Sequence, residues 1–354
     1  MKSPAPLDAG RLPGLDGLRV LSVLVIIFYH QGLLPFGWIG VQVFFVLSGY
    51  LITRLLWNAR ERPLGRYLTG FWGRRVLRIF PLYYGALVAL SVLAFAAGKG
   101  QILKLSLPYL ATYTYNLWSA TAAYRESRYF SHFWSLCVEE QFYLLWPFLI
   151  YVCRRGPLKA VLAAIVLAGP LIRLAEVFIL RASPGANPLT DLSVYVLTPT
   201  YFDGFAIGAW VGLFPLGGKK GAFFASFAFL VIATWLAFQH SNGLRDTSGT
   251  GPGYVLIWGY SLVNLFAALL IDCLVFRKLA PRFFDAGPMQ YLGKISYGLY
   301  VFHLPIQTML EQALPRAGVW PRLGLQLILT VAVSALSFRF WERPFLALKD
   351  RFRA

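Results

Sequence analysis

Apolar runs of about 20 residues recur from one end of the chain to the other, and this feature limits the fold more than any other. Crossing a ~30 Å hydrocarbon layer takes roughly 20 apolar residues as a helix. Only helices and closed barrels satisfy every backbone hydrogen-bonding group there. The 354 residues are 58% hydrophobic and 14% charged, with a mean hydropathy of +0.59. A soluble domain of this length needs more polar surface. The pattern therefore predicts an all-α integral membrane protein built as a single bundle of about ten transmembrane helices. The expected spans are 15–34, 37–57, 78–98, 132–152, 157–181, 200–216, 221–240, 254–276, 290–311 and 321–341. A shorter apolar stretch, 105–119, carries Pro108, Thr112, Thr114 and Asn116 and reads as re-entrant or interfacial. The first run, Leu18 to Leu34, lacks a small-residue cleavage site and leads straight into the next segment, so it reads as a helix rather than a signal peptide.

The charges orient the bundle. With the N-terminus inside, 24 of the 33 Lys and Arg fall on the cytoplasmic side, eight outside and one, Arg173, within a span. That is a strong positive-inside bias. Counting 105–119 as a full crossing would move Arg154, Arg155, Lys219, Lys220, Arg277 and Lys278 outside. The bias favours ten spans with both termini cytoplasmic, in a cell (inner) membrane. It also accounts for the net charge of +18 without nucleic acid. The expected organisation is a cytoplasmic tail at 1–14, one membrane domain at 15–345 and a basic cytoplasmic tail at 346–354, with a basic inner loop at 58–77. Cys137, Cys153 and Cys273 form no CxxC pair, which indicates neither a disulfide framework nor a metal site.

Ionisable groups inside a membrane are costly, so each is a candidate for function. His30 lies ~20 Å from the cytoplasmic end of the first span, and Arg19 lies about three turns earlier on the same helix. Glu139 and Glu140 fall a third to halfway down the fourth span. Adjacent helical residues point ~100° apart, so one of the two faces any given site. A carboxylate and a histidine at similar depth make a general-base pair, the acid orienting the imidazole. His303 reaches the depth of His30 in the ninth span; a hydrogen-bonded structural role is the simpler reading. His132 and His240 sit at outer helix ends, where solvated histidines are ordinary. Arg173 and Glu176 are placed to pair with each other. On the cytoplasmic side, Arg74, Arg75 and Arg78 precede the third span, with Arg75 and Arg78 on one face. Arginine suits phosphate, although spacing alone favours topology or anionic-lipid contact. Cys137 is buried in apolar sequence, where thiols are usually inert.

Five motifs in order resemble the acyltransferase family 3 membrane proteins. Arg19, ten residues and His30 resemble its R-x10-H signature. Gly40 to Thr53 is similar to its second helix, and Arg74-Arg75-Val76-Leu77-Arg78 to its cytoplasmic arginine motif. The run Phe133 to Pro147 matches its most recognisable block, and Ile295 to Ile306 with Glu342-Arg343-Pro344 resembles its last two helices. Tyr201 stands where members often carry arginine, and Phe302 where tryptophan is common. No periplasmic esterase-like domain is expected on this chain.

The resemblance implies transfer of an acyl group, usually acetyl, from cytoplasmic acyl-CoA (acetyl-CoA) as co-substrate to a hydroxyl of a cell-envelope glycan or glycolipid. It implies no metal. On this reading the CoA phosphates dock at Arg74, Arg75 and Arg78, and the arm threads toward His30. His30, oriented by Glu139 or Glu140, is the general base or the transient acyl carrier, and Arg19 holds the arm or tunes charge. The acceptor enters from outside near His132, Asp203 and His303. Two other classes remain open: a transporter or flippase of a lipid-linked sugar with a His/Glu proton relay, and a non-catalytic scaffold.

Overall fold

The computed structural model describes residues 13–182, 190–240 and 255–352. Residues 1–12 of the N-terminal tail, parts of the outer stretches 182–199 and 241–253, the side chain of His240 and residues 353–354 of the basic tail lie outside that description. In chain order the helices are α1 (Pro13–His30), α2 (Ile39–Ala59), α3 (Leu64–Ala96), α4 (Gly100–Ala111), α5 (Tyr115–Ser119), α6 (Phe133–Val152), α7 (Arg155–Ala182) and α8 (Thr190–Val196). Then follow α9 (Phe202–Leu213), α10 (Lys220–His240), α11 (Tyr260–Arg277), α12 (Pro281–Phe284), α13 (Gly287–Lys294), α14 (Ser296–Ala313), α15 (Val319–Ser337) and α16 (Arg343–Ala347). A π-helical turn, Phe338–Glu342, joins α15 to α16, and a 3₁₀ turn, Leu348–Phe352, follows. Among the described residues there is no strand.

Among the described residues five helical segments are long and apolar enough to cross a membrane: Ile39–Ala59, Leu64–Ala96, Arg155–Ile179, Ile257–Arg277 and Val319–Ala347. Large apolar side chains stand exposed on the outer faces, among them Val88, Phe95, Leu167, Phe178, Phe229 and Ile328. Apolar cover of that extent fits lipid and not water. The protein is a multi-pass membrane protein, and its described secondary structure is helical.

One sequence expectation needs correction, and a second stretch takes a definite form. The basic stretch 58–77 is not a loop for most of its length: α3 begins at Leu64 and carries Arg74, Arg75 and Arg78 on the same continuous helix as the span. The stretch 105–119 is the end of α4 and the short α5, separated where Tyr113 takes a left-handed backbone conformation, φ 54°.

The most intimate contact joins α2 and α9. A Cβ on Gly208 would lie 1.9 Å from the Val46 carbonyl oxygen, and one on Gly49 would lie 2.1 Å from that of Phe205. The two backbones touch through these glycines, as small residues allow in membrane helix pairs. This seats α2 deep in the bundle.

Proline supplies a second kind of lock. A helical proline leaves the carbonyl four residues earlier without its N–H partner. Pro147 frees the carbonyl of Tyr143, and the Trp72 indole donates to it at 3.0 Å. Tyr67 donates to the Pro147 carbonyl itself at 2.9 Å. Both bonds fasten α3 to α6. Pro305 frees the carbonyl of Val301, which accepts from the His132 ring at 2.9 Å.

The glycine contact makes a testable statement. Gly208→Ala forces α2 and α9 apart and should cost about 1–3 kcal/mol, lowering the thermal midpoint of the purified protein. Gly221→Ala, with open space around it, should leave that midpoint unchanged.

Candidate active site

Residues from α1, α2, α3, α6 and α14 enclose a cavity of about 130 Å³. Its charged lining is Arg19, Arg75 and Arg78 with Glu139 and Glu140; Ser48, Ser135, Tyr143, Tyr297 and Tyr300 add hydroxyls. Arg75 and Arg78 share the cavity because they lie one turn apart on α3, while Arg74, rotated ~100°, turns its Nε to the Gly70 carbonyl at 2.8 Å. Arg19 donates to Asp16 at 2.8 Å, an i,i+3 pair on α1. Glu139 accepts from the Ser48 hydroxyl at 2.7 Å, and Oε1 of Glu140 is buried with no hydrogen-bond partner among the described residues.

Arg75 and Arg78 make no ion pair within 4.0 Å among the described residues; Arg75 stacks at 5.6 Å from the Tyr143 ring. Two guanidiniums and two carboxylates thus line one partly buried cavity without touching. Structural ion pairs normally close such gaps, so separated opposite charges in a cavity mark a site built for a ligand.

The cavity ends at a wall. Ser135 and Tyr300 hydroxyls hydrogen-bond at 2.5 Å, one donating to the other, and the His132 carbonyl lies within reach of both at 3.0 and 3.1 Å as acceptor for the second hydrogen. One helical turn beyond that wall, His132 on the approach to α6 and His303 on α14 meet His30 at the end of α1. Ring centroids are 5.3 Å apart for His30 and His303 and 5.1 Å for His132 and His303. His303 donates Nδ1–H to the Tyr300 carbonyl at 2.5 Å, leaving Nε2 buried and unpartnered among the described residues. His132 gives Nε2–H to Val301 and leaves Nδ1 in the same state. Both buried rings therefore present an acceptor nitrogen that has no hydrogen-bond partner among the described residues. Gln307 donates to the His30 carbonyl at 2.8 Å and to Glu311 at 2.9 Å, and Glu311 pairs with Arg128, closing the far side. Among the described residues no group of three or more His, Cys, Asp or Glu converges as metal ligands would.

Several sequence-predicted residues thus come together, though not all as expected. Arg19, Arg75, Arg78, Glu139 and Glu140 share the cavity. His30, His132 and His303 form a second group. The pairing of His30 with Glu139 or Glu140 is not made: Glu139 lies seven residues beyond His132 along α6, ~10 Å deeper, and its hydrogen bond goes to Ser48. His132 is buried rather than solvated at 3% exposure.

Asp203 does not fit an acceptor-side role. It is 1% exposed and accepts from Arg173 at 3.0 Å, Ser261 at 2.7 Å and Asn264 at 3.1 Å. Arg173, wholly buried, also donates to the Thr200 and Ile257 carbonyls. Glu176 takes the Thr200 hydroxyl instead of Arg173. Ser48, Tyr143, Tyr297 and Tyr300 escaped individual notice in the sequence. Spacing could have found two of them: Tyr143 follows Glu139 by four residues and Tyr300 precedes His303 by three, so each shares a helix face with a candidate residue.

Over residues 12–341 the chain matches the family model described as acyltransferase domain. It is 31% identical over 371 aligned residues to Peptidoglycan O-acetyltransferase OatA of Listeria monocytogenes, covering 97% of this chain and 57% of that protein. It is 28% identical to the Putative peptidoglycan O-acetyltransferase YrhL of Bacillus subtilis (94% of this chain, 54% of that protein). Identity is also 28% to O-acetyltransferase OatA of Staphylococcus aureus strain NCTC 8325 / PS 47 (94% and 57%). The chain spans a little over half the length of these relatives. No solved structure matches it.

The Arg173–Asp203 pair separates structure from chemistry. Asp203→Asn or Arg173→Met alone strands a buried charge and should cost about 3–5 kcal/mol, read as loss of folded protein in detergent. Arg173→Met combined with Asp203→Leu should recover much of that stability.

Proposed function

We propose, from the premise that the chain belongs to the acyltransferase domain family, that it moves an acetyl group from acyl-CoA to a hydroxyl of a cell-wall glycan. The observation that carries this reading is the pair of compartments: a cavity with separated arginines and carboxylates, and a histidine group one helical turn away across the Ser135–Tyr300 wall. The relatives' names supply the acceptor class, peptidoglycan. About ten helices cross the membrane, both termini are cytoplasmic, and residues 15–345 act as one domain.

The donor's phosphates meet Arg75 and Arg78, with Arg74 beside them. Arginine binds phosphate oxygens in pairs and stays charged when partly buried. The arm enters the cavity between Arg19 and the carboxylates. The cavity of about 130 Å³ has room for a short acyl terminus. The acceptor hydroxyl approaches His30 from the other side. His30 takes its proton as the oxygen attacks the thioester carbonyl, the C–S bond breaks, and the thiolate leaves to be protonated. Alternatively the ring nitrogen of His30 takes the acyl group first and passes it on. Its place at the C-terminus of α1 favours either form, since the negative end of a helix stabilises a positive ring. His303 packs against His30 and limits its ring orientations, a function the sequence had assigned to a glutamate. His132 and His303 complete the acceptor's surroundings.

The test is direct. Purified protein in nanodiscs, given acetyl-CoA and short glycan strands, should yield strands heavier by one acetyl group and free thiol in equal amount. His30→Ala should lower the rate by roughly 10²–10⁴-fold with an unchanged melting profile, and Arg75→Gln with Arg78→Gln should raise the KM for acetyl-CoA. Acetylated glycan made without acetyl-CoA, or full activity in His30→Ala, would refute the reading.

A further inference from the structure

The segment that follows the last long helix is bolted to α3 at two points. The Trp341 indole donates to the Pro81 carbonyl at 2.7 Å, and its ring lies where a Cβ on Gly85 would be, 2.9 Å from Nε1. Three turns earlier on α3, the Phe352 ring occupies the space over Gly73: a Cβ there would meet it at 2.4 Å, and the Phe352 carbonyl lies 3.5 Å from one on Gly70. Between these bolts α3 displays Arg74, Arg75 and Arg78, and the 3₁₀ turn Leu348–Phe352 carries Lys349. A basic tail serving topology alone needs no such attachment, because positive-inside bias works through loose chain ends as well.

Resting on the acyl-CoA reading above, we propose that Lys349 is a fourth cation of a phosphate site with Arg74, Arg75 and Arg78, held over the arginines by the Trp341 and Phe352 attachments. The chemistry recognised is a phosphate ester or pyrophosphate. Arginine supplies a fixed fork and lysine a movable point charge that completes the coordination. Arg74, Arg75 and Arg78 all act on Lys349 across the α3 contact, and among the described residues Glu342, which accepts from Ser337, opposes them from the tail side. Three cations crowding a fourth is unfavourable until an anion sits among them. Consistent with this, burial and then the fields of Arg78, Arg75 and Arg74 push the Lys349 ammonium down to about 7, with Glu342 opposing.

That environment fixes the sign of a pH effect. An anion bound beside Lys349 raises its pKa, so above pH 7 binding takes up a proton. Affinity therefore falls as pH rises from about 7 toward the bound-state value.

The experiment measures binding of free CoA to the full chain in phosphatidylcholine nanodiscs, from pH 6 to 9. Lys349→Gln should weaken binding about tenfold at pH 6.5 and flatten the pH dependence. Lys349→Arg should keep the affinity and also flatten the slope. Phe352→Ala should weaken binding while leaving Lys349 in place. If Lys349→Gln binds CoA as wild type does, while Arg75→Gln with Arg78→Gln abolishes binding, this proposal falls and the donor reading stands. If wild type binds no CoA, the donor reading fails; protection by inorganic pyrophosphate in a melting assay then decides for Lys349, upheld if lost in Lys349→Gln and overturned if not. Nanodiscs containing phosphatidylglycerol separate the source of the phosphate. Lipid retained by wild type but not by Lys349→Gln, together with loss of CoA binding, would assign the site to a headgroup and overturn the donor assignment.

Discussion

Arg173 and Asp203 form an ion pair with no access to water, and much of the bundle's geometry hangs on it. A buried pair of this kind persists only when the remaining donors and acceptors are satisfied. Here they are: the guanidinium reaches two backbone carbonyls, and the carboxylate takes bonds from Ser261 and Asn264. The result ties α7, α9 and α11 together. Helix α9 then packs directly on α2 through the glycine contact, where a Cβ on Gly208 or Gly49 would meet a carbonyl oxygen. Helix α2 in turn brings Ser48 to Glu139. A structural charge pair at the back of the bundle thus sets the position of a carboxylate in the cavity.

The same economy appears at the prolines. Pro147 and Pro305 each break a helical hydrogen bond in a layer where an orphan carbonyl is expensive, and each of these two freed carbonyls is met by a side chain from elsewhere in the bundle. At Pro147 the donor is Trp72, which holds the arginine-bearing helix against the glutamate-bearing one. At Pro305 the donor is His132, and the bond settles which ring nitrogen carries the proton. His303 is fixed in the same way by the Tyr300 carbonyl. Backbone irregularity therefore does two jobs: it locks neighbouring helices and it sets histidine tautomers beside His30.

Much of this was legible in the sequence, for reasons that can be stated. Helix placement follows from hydropathy, and the shared face of Arg75 and Arg78 follows from helical period. The gathering of His30 with His303 followed from counting depth along two spans. Depth was also the limit. Glu139 and His30 looked level when each was measured from its own membrane face, but α6 begins near His132, so Glu139 belongs to the deeper layer. Asp203 looked available because it lies near the outer end of a span; its partners come from α7 and α11, and sequence spacing carries no information about contacts between helices. The stretch 58–77 looked like a loop because it is basic, yet arginine is a good helix former, and the helix simply continues past the apolar region.

The layering has a chemical consequence. On the proposed reading the acyl group and the base start on opposite sides of one hydrogen-bonded wall, Ser135 to Tyr300, about one helical turn thick. A wall of that thickness keeps water and the charged arginines away from the histidines while the donor binds. It also means that transfer requires Tyr300 to give way. The hydroxyl's alternative acceptor is already in place, the His132 carbonyl at 3.1 Å, so exchanging one bond for the other costs little. The ring is flanked by both His132 and His303, and any swing that admits a thioester also moves it against the ring of His303. Entry of the donor and orientation of His30 would then be coupled through one aromatic side chain, which ties the acetyl group's arrival to readiness of the base.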